Sequence, residues 1–144
     1  MLFLAQTDTT AGFLSKDEQE INKAKNRALN TPCILTTAYF SELLGFVRVP
    51  KAHKNLVRKA KKTSFIYPNS KACRVVNWGK HAEFLRKFGY FFSSSANLHG
   101  KAFDAALARK ITLQNGGETV DEILFEGKPS TLIKLSRDKK KKIR

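Results

Sequence analysis

The sequence predicts an α/β domain, a sheet carrying helices on its faces. Apolar runs of strand length alternate with charged, helix-patterned segments along all 144 residues, with no internal repeat and no low-complexity linker. Two of the apolar runs, near residues 1–5 and 88–92, empty into clusters of small hydroxyl residues closed by glycine. Strands behave this way at the ligand-facing edge of open α/β sheets. With 42% apolar residues, including eleven Phe, the chain can bury roughly two thirds of its unfolded surface as one domain over residues 1–144.

Residues 1–5 form the first predicted strand. The Gln6-Thr7-Asp8-Thr9-Thr10-Ala11-Gly12 stretch after it offers ligand donors, or simply prolongs a β-prone edge. Ser15-Lys16-Asp17-Glu18 has the form of a capping box, so a helix is expected to run to about residue 28 with Ile21, Ala24, Ala28 and Leu29 inward. Its end, Lys25-Asn26-Arg27, admits two accounts. The cations complement the helix dipole, or they clamp a phosphate, Arg27 as a fork of donors and Lys25 as a point charge. Asn30-Thr31-Pro32 stops the helix, and Cys33-Ile34-Leu35-Thr36-Thr37 reads as a strand.

A short helix over residues 39–45 and a turn at Val49-Pro50 lead to a basic helix over 53–62, whose charge is a solvated face or a phosphate contact. Ser64-Phe65-Ile66-Tyr67 is a strand stopped by Pro68. Residues 71–76 form another, in which Arg74 is an odd choice unless its guanidinium meets an anion. A helix over 82–88 packs Phe84, Leu85 and Phe88 and closes at Gly89. The next apolar run enters Ser93-Ser94-Ser95-Ala96-Asn97. This is a serine-rich turn with Asn97 left-handed, or a place where Ser95 and Asn97 hold a polar ligand. Residues 102–110 read as helix, 111–113 as extended, Asn115-Gly116-Gly117 as a turn and 130–135 as a half-buried strand. The lysines at 139–142, with Ile143-Arg144 after them, read by composition as a disordered tail.

Lys and Arg total 27 against 12 acidic residues, a net charge of +15, which predicts attraction to polyanions such as RNA, DNA or nucleotides. Cys33 and Cys73 are distant from each other in apolar contexts and read as buried thiols. His53, His81 and His99 have no ligand spacing, so a side-chain metal site is not expected. No apolar run approaches the roughly 20 residues that span a bilayer, and a cytoplasmic protein without a membrane partner is expected.

In this order the segments resemble the YrdC-like family of L-threonylcarbamoyladenylate synthases, over nearly the whole chain. Thr7-Asp8-Thr9 with Gly12 is similar to the family's opening Pro-Thr-Asp/Glu-Thr-Val-Tyr-Gly, and Lys25-Asn26-Arg27 to its Lys-x-Arg. Ser64-Phe65 and Arg74-Val75 resemble its Thr-Phe and Arg-Val strands. Ser95-Ala96-Asn97 with Gly100 resembles its Ser-Ala-Asn-x-x-Gly, and Val120-Asp121, Pro129-Ser130-Thr131 and Ile143-Arg144 its closing elements. The chain departs from the pattern at Gln6 for proline, at Ala11 for an aromatic, and at residues 58–62, where the family has Trp-Pro-Gly-Pro.

The resemblance implies a twisted mixed sheet around a concave basic cleft. It implies a reaction in which threonine and bicarbonate form a carbamate that attacks the α-phosphate of ATP, with Mg²⁺ accompanying the nucleotide. The product serves tRNA modification at adenosine 37 through a downstream threonylcarbamoyl transferase complex. Carried over residue by residue, Lys25, Arg27, Ser64, Asn97 and Arg144 would bind ATP, while Thr9, Arg74, Ser95 and Ser130 would hold threonine. No protein nucleophile is implied, and no protein ligand to the metal. Two rival readings remain: a non-catalytic module of the same fold that binds double-stranded or structured RNA, and a structural ribosome-associated protein.

Overall fold

The structure, a computed structural model, describes residues 1–144. In chain order it has β1 (Phe3–Gln6), β2 (Ala11–Ser15), α1 (Glu18–Ala24), β3 (Ile34–Thr37), α2 (Phe40–Leu43), a 3₁₀ turn at Lys51–His53, and α3 (Lys54–Lys59). These are followed by β4 (Thr63–Ile66), β5 (Ala72–Val75), α4 (Gly79–Phe88), β6 (Phe91–Ser95), α5 (Ala105–Gln114), β7 (Glu118–Thr119), β8 (Thr131–Leu135) and β9 (Lys140–Lys142). The α/β class is as expected. The chain forms two compact units, Met1–Cys33 with Phe91–Pro129, and Ile34–Tyr90 with Ser130–Arg144.

The first unit orders its strands β7-β1-β2-β6, with β1 antiparallel to β2 and parallel to β7, and β2 antiparallel to β6. Its core gathers Leu2, Leu4, Phe13, Ile21 and Ala108, and Phe13, fully buried, contributes about 1.5–3 kcal/mol by leaving water. Strand β2 was not foreseen. The turn residues 7–10 reverse the chain into a hairpin in which Gln6 faces Ala11 and Phe3 faces Leu14, so Phe13 and Leu14 continue a sheet instead of leading into a helix. Helix α5 is capped by Asp104, which accepts from the Leu107 N–H. It absorbs residues 111–113, expected to be extended, because Thr112 sits buried with its hydroxyl on the Ala108 carbonyl. The chain then turns at Gly116, φ +68°, and Gly117 lies so close to the Leu2 carbonyl that a Cβ would stand 2.2 Å from it.

The second unit orders its strands β3-β5-β4-β8-β9. The β3/β5 and β4/β8 pairs are parallel, and β4/β5 and β8/β9 antiparallel. Leu43, Val57, Phe65, Val76, Leu85 and Leu135 are buried. In α4 the buried face is His81, Ala82 and Leu85, while Phe88 is 48% exposed, against expectation. The Ser136–Lys139 turn returns the expected tail as β9, with Lys140 facing Leu135 and Lys142 facing Ile133. No helix is long and apolar enough to cross a membrane.

Candidate functional site

The end of α1 is a Schellman motif. The Asn26 N–H bonds the Lys23 carbonyl and the Arg27 N–H bonds the Asn22 carbonyl, with Asn26 left-handed at φ +52°. Helix α1 therefore stops at Ala24, leaving Ala28 and Leu29 exposed. Its N-terminus is capped by Asp17, which accepts from the Gln19 N–H. Ser15 instead accepts from the Asp17 N–H and donates to Glu20, and Glu18 takes the Cys33 N–H, so the expected capping box is replaced. The tight reversal at Asn26 sends Lys25 and Arg27 to different partners around the end of β6.

Lys25 is 3% exposed, and its ammonium donates to the Ser95 carbonyl at 2.5 Å, with Ser95 Oγ at 3.3 Å and Asn97 Oδ1 at 3.4 Å. Burial, and then the neighbouring Arg27 charge, lower its pKa to about 8. Arg27 donates from Nε to Asn22 Oδ1 at 2.7 Å, and from one terminal nitrogen to Cys33 Sγ and Ser94 Oγ, both at 3.3 Å. Asn22 is fully buried and its amide also donates to the Leu29 and Thr31 carbonyls. It thus fixes both the loop after α1 and the guanidinium. Burial pushes the Cys33 thiol up; both cysteines are buried and free.

Ser93, Ser94 and Ser95 belong to β6 and pair with β2, Ser95 opposite Gly12, so they are strand residues and not a turn. Asn97 is absent from the positive-φ residues. Its amide donates to the Lys101 and Leu98 carbonyls, holding the loop after β6 while its oxygen faces Lys25. Thr9 lies in the β1–β2 turn, which Thr7 ties together by donating to the Thr10 carbonyl and accepting from the Thr9 and Thr10 N–H groups. Gly127 rests on that turn, where a Cβ would stand 2.0 Å from the Thr9 carbonyl, and its N–H reaches Thr10 Oγ1.

The second unit brings together the other four expected residues. Ser64 and Ser130, 0% and 3% exposed, share a hydrogen bond of 2.9 Å between their hydroxyls. Arg74, buried on β5, donates to Ser64 Oγ at 3.1 Å. Arg144 donates from Nε to the Ser130 carbonyl at 3.0 Å and from a terminal nitrogen to Ser130 Oγ at 3.2 Å. Parallel pairing of β4 with β8, Thr63 opposite Thr131, puts the two serines side by side. Arg144 is held in place by backbone bonds between Leu132 and residues 143–144.

The expected ATP set thus contributes Lys25, Arg27 and Asn97 to the first cluster and Ser64 and Arg144 to the second. The expected threonine set contributes Thr9 and Ser95 to the first unit, Arg74 and Ser130 to the second. Chemically, the first cluster is a buried amine and a guanidinium among neutral donors, suited to anionic oxygens. The second is two guanidiniums flanking two hydroxyls, which suits a carboxylate or a phosphate. Sequence reasoning missed Asn22 and Ser94. An asparagine within a short helix is a poor helix former and was the available signal for Asn22.

No protein-family model and no curated protein matches the chain by sequence. Solved structures do match its fold. A doubly substituted P. abyssi Sua5 matches with a TM-score of 0.85 at 18% identity over 99% of this chain and 52% of that one. P. abyssi Sua5 complexed with L-threonine matches with 0.78 at 20% identity over 99% and 49%, and E. coli YciO with 0.79 at 17% identity over 99% and 82%. The chain spans about half the length of the two Sua5 chains. It has the YrdC-like fold of Sua5 and YciO.

Proposed function

We propose that the chain is a threonylcarbamoyl-AMP synthase-like enzyme acting on ATP, L-threonine and bicarbonate. The observation that carries this reading is the buried Lys25, aimed at Ser95 and Asn97 and backed by Arg27, in a fold shared with a Sua5 that binds L-threonine. In this reading Lys25 and Arg27 neutralise phosphate charge, with Asn97 as a neutral donor and Ser64 and Arg144 completing the ATP contacts. Arg74 pairs the threonine carboxylate as a fork, and Thr9, Ser95 and Ser130 supply hydroxyls. The carbamate oxygen forms a bond to the α-phosphorus, the bond to the bridging oxygen breaks, and pyrophosphate leaves with that electron pair. The chain contributes orientation and fixed charge. Because the first cluster supplies N–H and O–H donors, it fits a Mg²⁺ carried on the nucleotide's own phosphates. The product would pass to a threonylcarbamoyl transferase complex that modifies tRNA.

The test is incubation of the protein with ATP, threonine and bicarbonate while pyrophosphate is followed. Release should require both co-substrates together. ATP turnover indifferent to them would leave the second reading, an RNA-binding module of the same fold, which the net charge of +15 favours.

A further inference from the structure

The net charge is not spread over the chain. The first unit carries eight Lys and Arg against nine Asp and Glu, net −1, while the second carries nineteen against three, net +16. Each unit also shows water an apolar patch, and the rims of the two patches carry opposite charge.

In the first unit the patch is a strap, residues 120–127, bonded along the β1–β2 hairpin. The Val120 N–H bonds the Leu4 carbonyl at 2.7 Å, and Asp121 accepts from the Gln6 N–H at 2.7 Å. Further on, Gln6 Oε1 accepts from the Phe125 N–H, the Phe125 carbonyl from the Ala11 N–H, and Thr10 Oγ1 from the Gly127 N–H. Leu124 packs on the core, whereas its neighbours Ile123 and Phe125 are 77% and 55% exposed. The Arg109 guanidinium bonds the Glu122 carbonyl, and Leu113, one turn further along the same side of α5, is exposed as well. Apolar side chains scattered singly over a surface are ordinary. These are held in a row by a pinned backbone that cannot fold them away. Residues 118–127 contain four acidic residues and no Lys or Arg, and Glu118, Glu122 and Glu126 are exposed around the row.

In the second unit the patch lies on α4, which turns His81, Ala82 and Leu85 inward. Its outer side carries Phe84 and Phe88, with rings 4.9 Å apart, and Phe88 is half exposed. Exposed Lys80 and Lys87 flank them, the Lys87 ammonium 5.2 Å over the Phe88 ring. Arg86 is exposed too, and Glu83 is the only acidic residue of the helix.

We infer that these two faces dock on each other between copies, the strap of one chain against α4 of the next, so that the protein associates head to tail. Charge selects this pairing. Strap against strap sets acid against acid, and α4 against α4 brings two strongly basic units together. Only the crossed contact sets opposite charges face to face, and it buries both apolar rows at once, with aromatic residues at the centre as interfaces favour. Because the two faces differ, the contact is heterologous, and copies add in series until a ring closes or a filament grows. The strap and one ten-residue helix supply fewer than the roughly 20–30 residues a side of a standard interface, so the association is weak, with a dissociation constant on the order of 100 µM. No residue assigned to ATP or threonine is used, so the inference stands apart from the enzymatic reading.

The test is sedimentation equilibrium at about 0.15 M salt, from about 10 µM to 1 mM, on protein freed of nucleic acid by nuclease. The parent's average mass should reach at least about 1.5 times that of one chain at the top of the range. Ile123→Ser/Phe125→Ser and Lys80→Glu/Phe88→Ser should each stay monomeric. An equimolar mixture of these two variants should regain association and stop at pairs, because each keeps one intact face. Glu118→Lys/Glu122→Lys, which alters only the rim charge of the strap, should weaken self-association on the order of tenfold. A parent still monomeric at the highest concentration would overturn the inference, as would parental association in either single-face variant. So would a mixture no heavier than its components, or a rim-charge variant that associates like the parent.

Discussion

Proton uptake by Lys25 should make ATP affinity fall with pH in a calculable way. The amine is buried beside Arg27, with a pKa lowered to about 8. If phosphate oxygens accept from its charged form, binding selects the protonated protein. The apparent dissociation constant then grows by one plus the ratio of neutral to charged amine. That factor is close to one at pH 7 and about tenfold at pH 9, from linkage alone. The nucleotide's own last ionisation, with a pKa near 6, is finished by then and contributes little. Titration calorimetry in buffers of different ionisation enthalpy, from pH 7 to 9, measures both the affinity and the protons taken up. Lys25→Arg, charged throughout, should abolish the pH dependence. The sign on folding is opposite. The charged amine penalises the fold below about pH 8, and the penalty is relieved as pH rises toward the ordinary value of 10.5, so the parent should gain stability relative to Lys25→Met across that interval. An ATP affinity constant from pH 7 to 9, or one that falls equally in Lys25→Arg, would refute the placement of Lys25 on the phosphates.

Three further outcomes are expected. Arg27→Ala should weaken ATP by at least about tenfold, since a hydrogen bond to a charged group is worth about 1.5–3 kcal/mol. Lys59→Ala, on the exposed face of α3, should change ATP affinity little, and parental ATP binding by Arg27→Ala would remove the clamp. Arg74→Lys should weaken threonine more than ATP, because a point charge cannot reproduce a fork, and competition binding with each ligand decides it. Asn22→Ala frees two carbonyls and the Arg27 guanidinium at once. Unfolding should come about 2–4 kcal/mol easier, a melting-temperature drop on the order of 10 °C, and a change under about 2 °C would contradict its bracing role.

Much of the fold could be read because its strands are short apolar runs cut by Pro68 or Pro32, and its clusters sit at element ends. What escaped the sequence follows from pairing across distance. Strand β2 is a strand because Phe13 and Leu14 face β1 and β6, and nothing local in Ala11-Gly12-Phe13-Leu14 distinguishes that from a lead-in to a helix. The lysine run at 139–142 pairs as β9 only because β8 offers a free edge; by composition alone it is a tail. Arg144 was assigned to ATP only through resemblance, and its two bonds to Ser130 depend on that same pairing. Asn22 was passed over because a polar residue in a helix is ordinarily solvated, and its burial reflects the loop that folds back over it.

Strand β9 also bears on how the protein behaves in company. It closes the strand order of the second unit, and an open strand edge is a template for other chains. Here the edge is three consecutive exposed lysines. A second copy attempting to add the same strand would have to set its own lysines alongside these at a strand spacing of about 4.8 Å, a repulsion that water and salt govern. At physiological ionic strength, with screening over about 8 Å, the guard is in force; at 1 M salt the range shrinks to about 3 Å. Concentrated stocks held in high salt would therefore be the ones to self-associate through this edge, the reverse of the usual remedy for a basic protein.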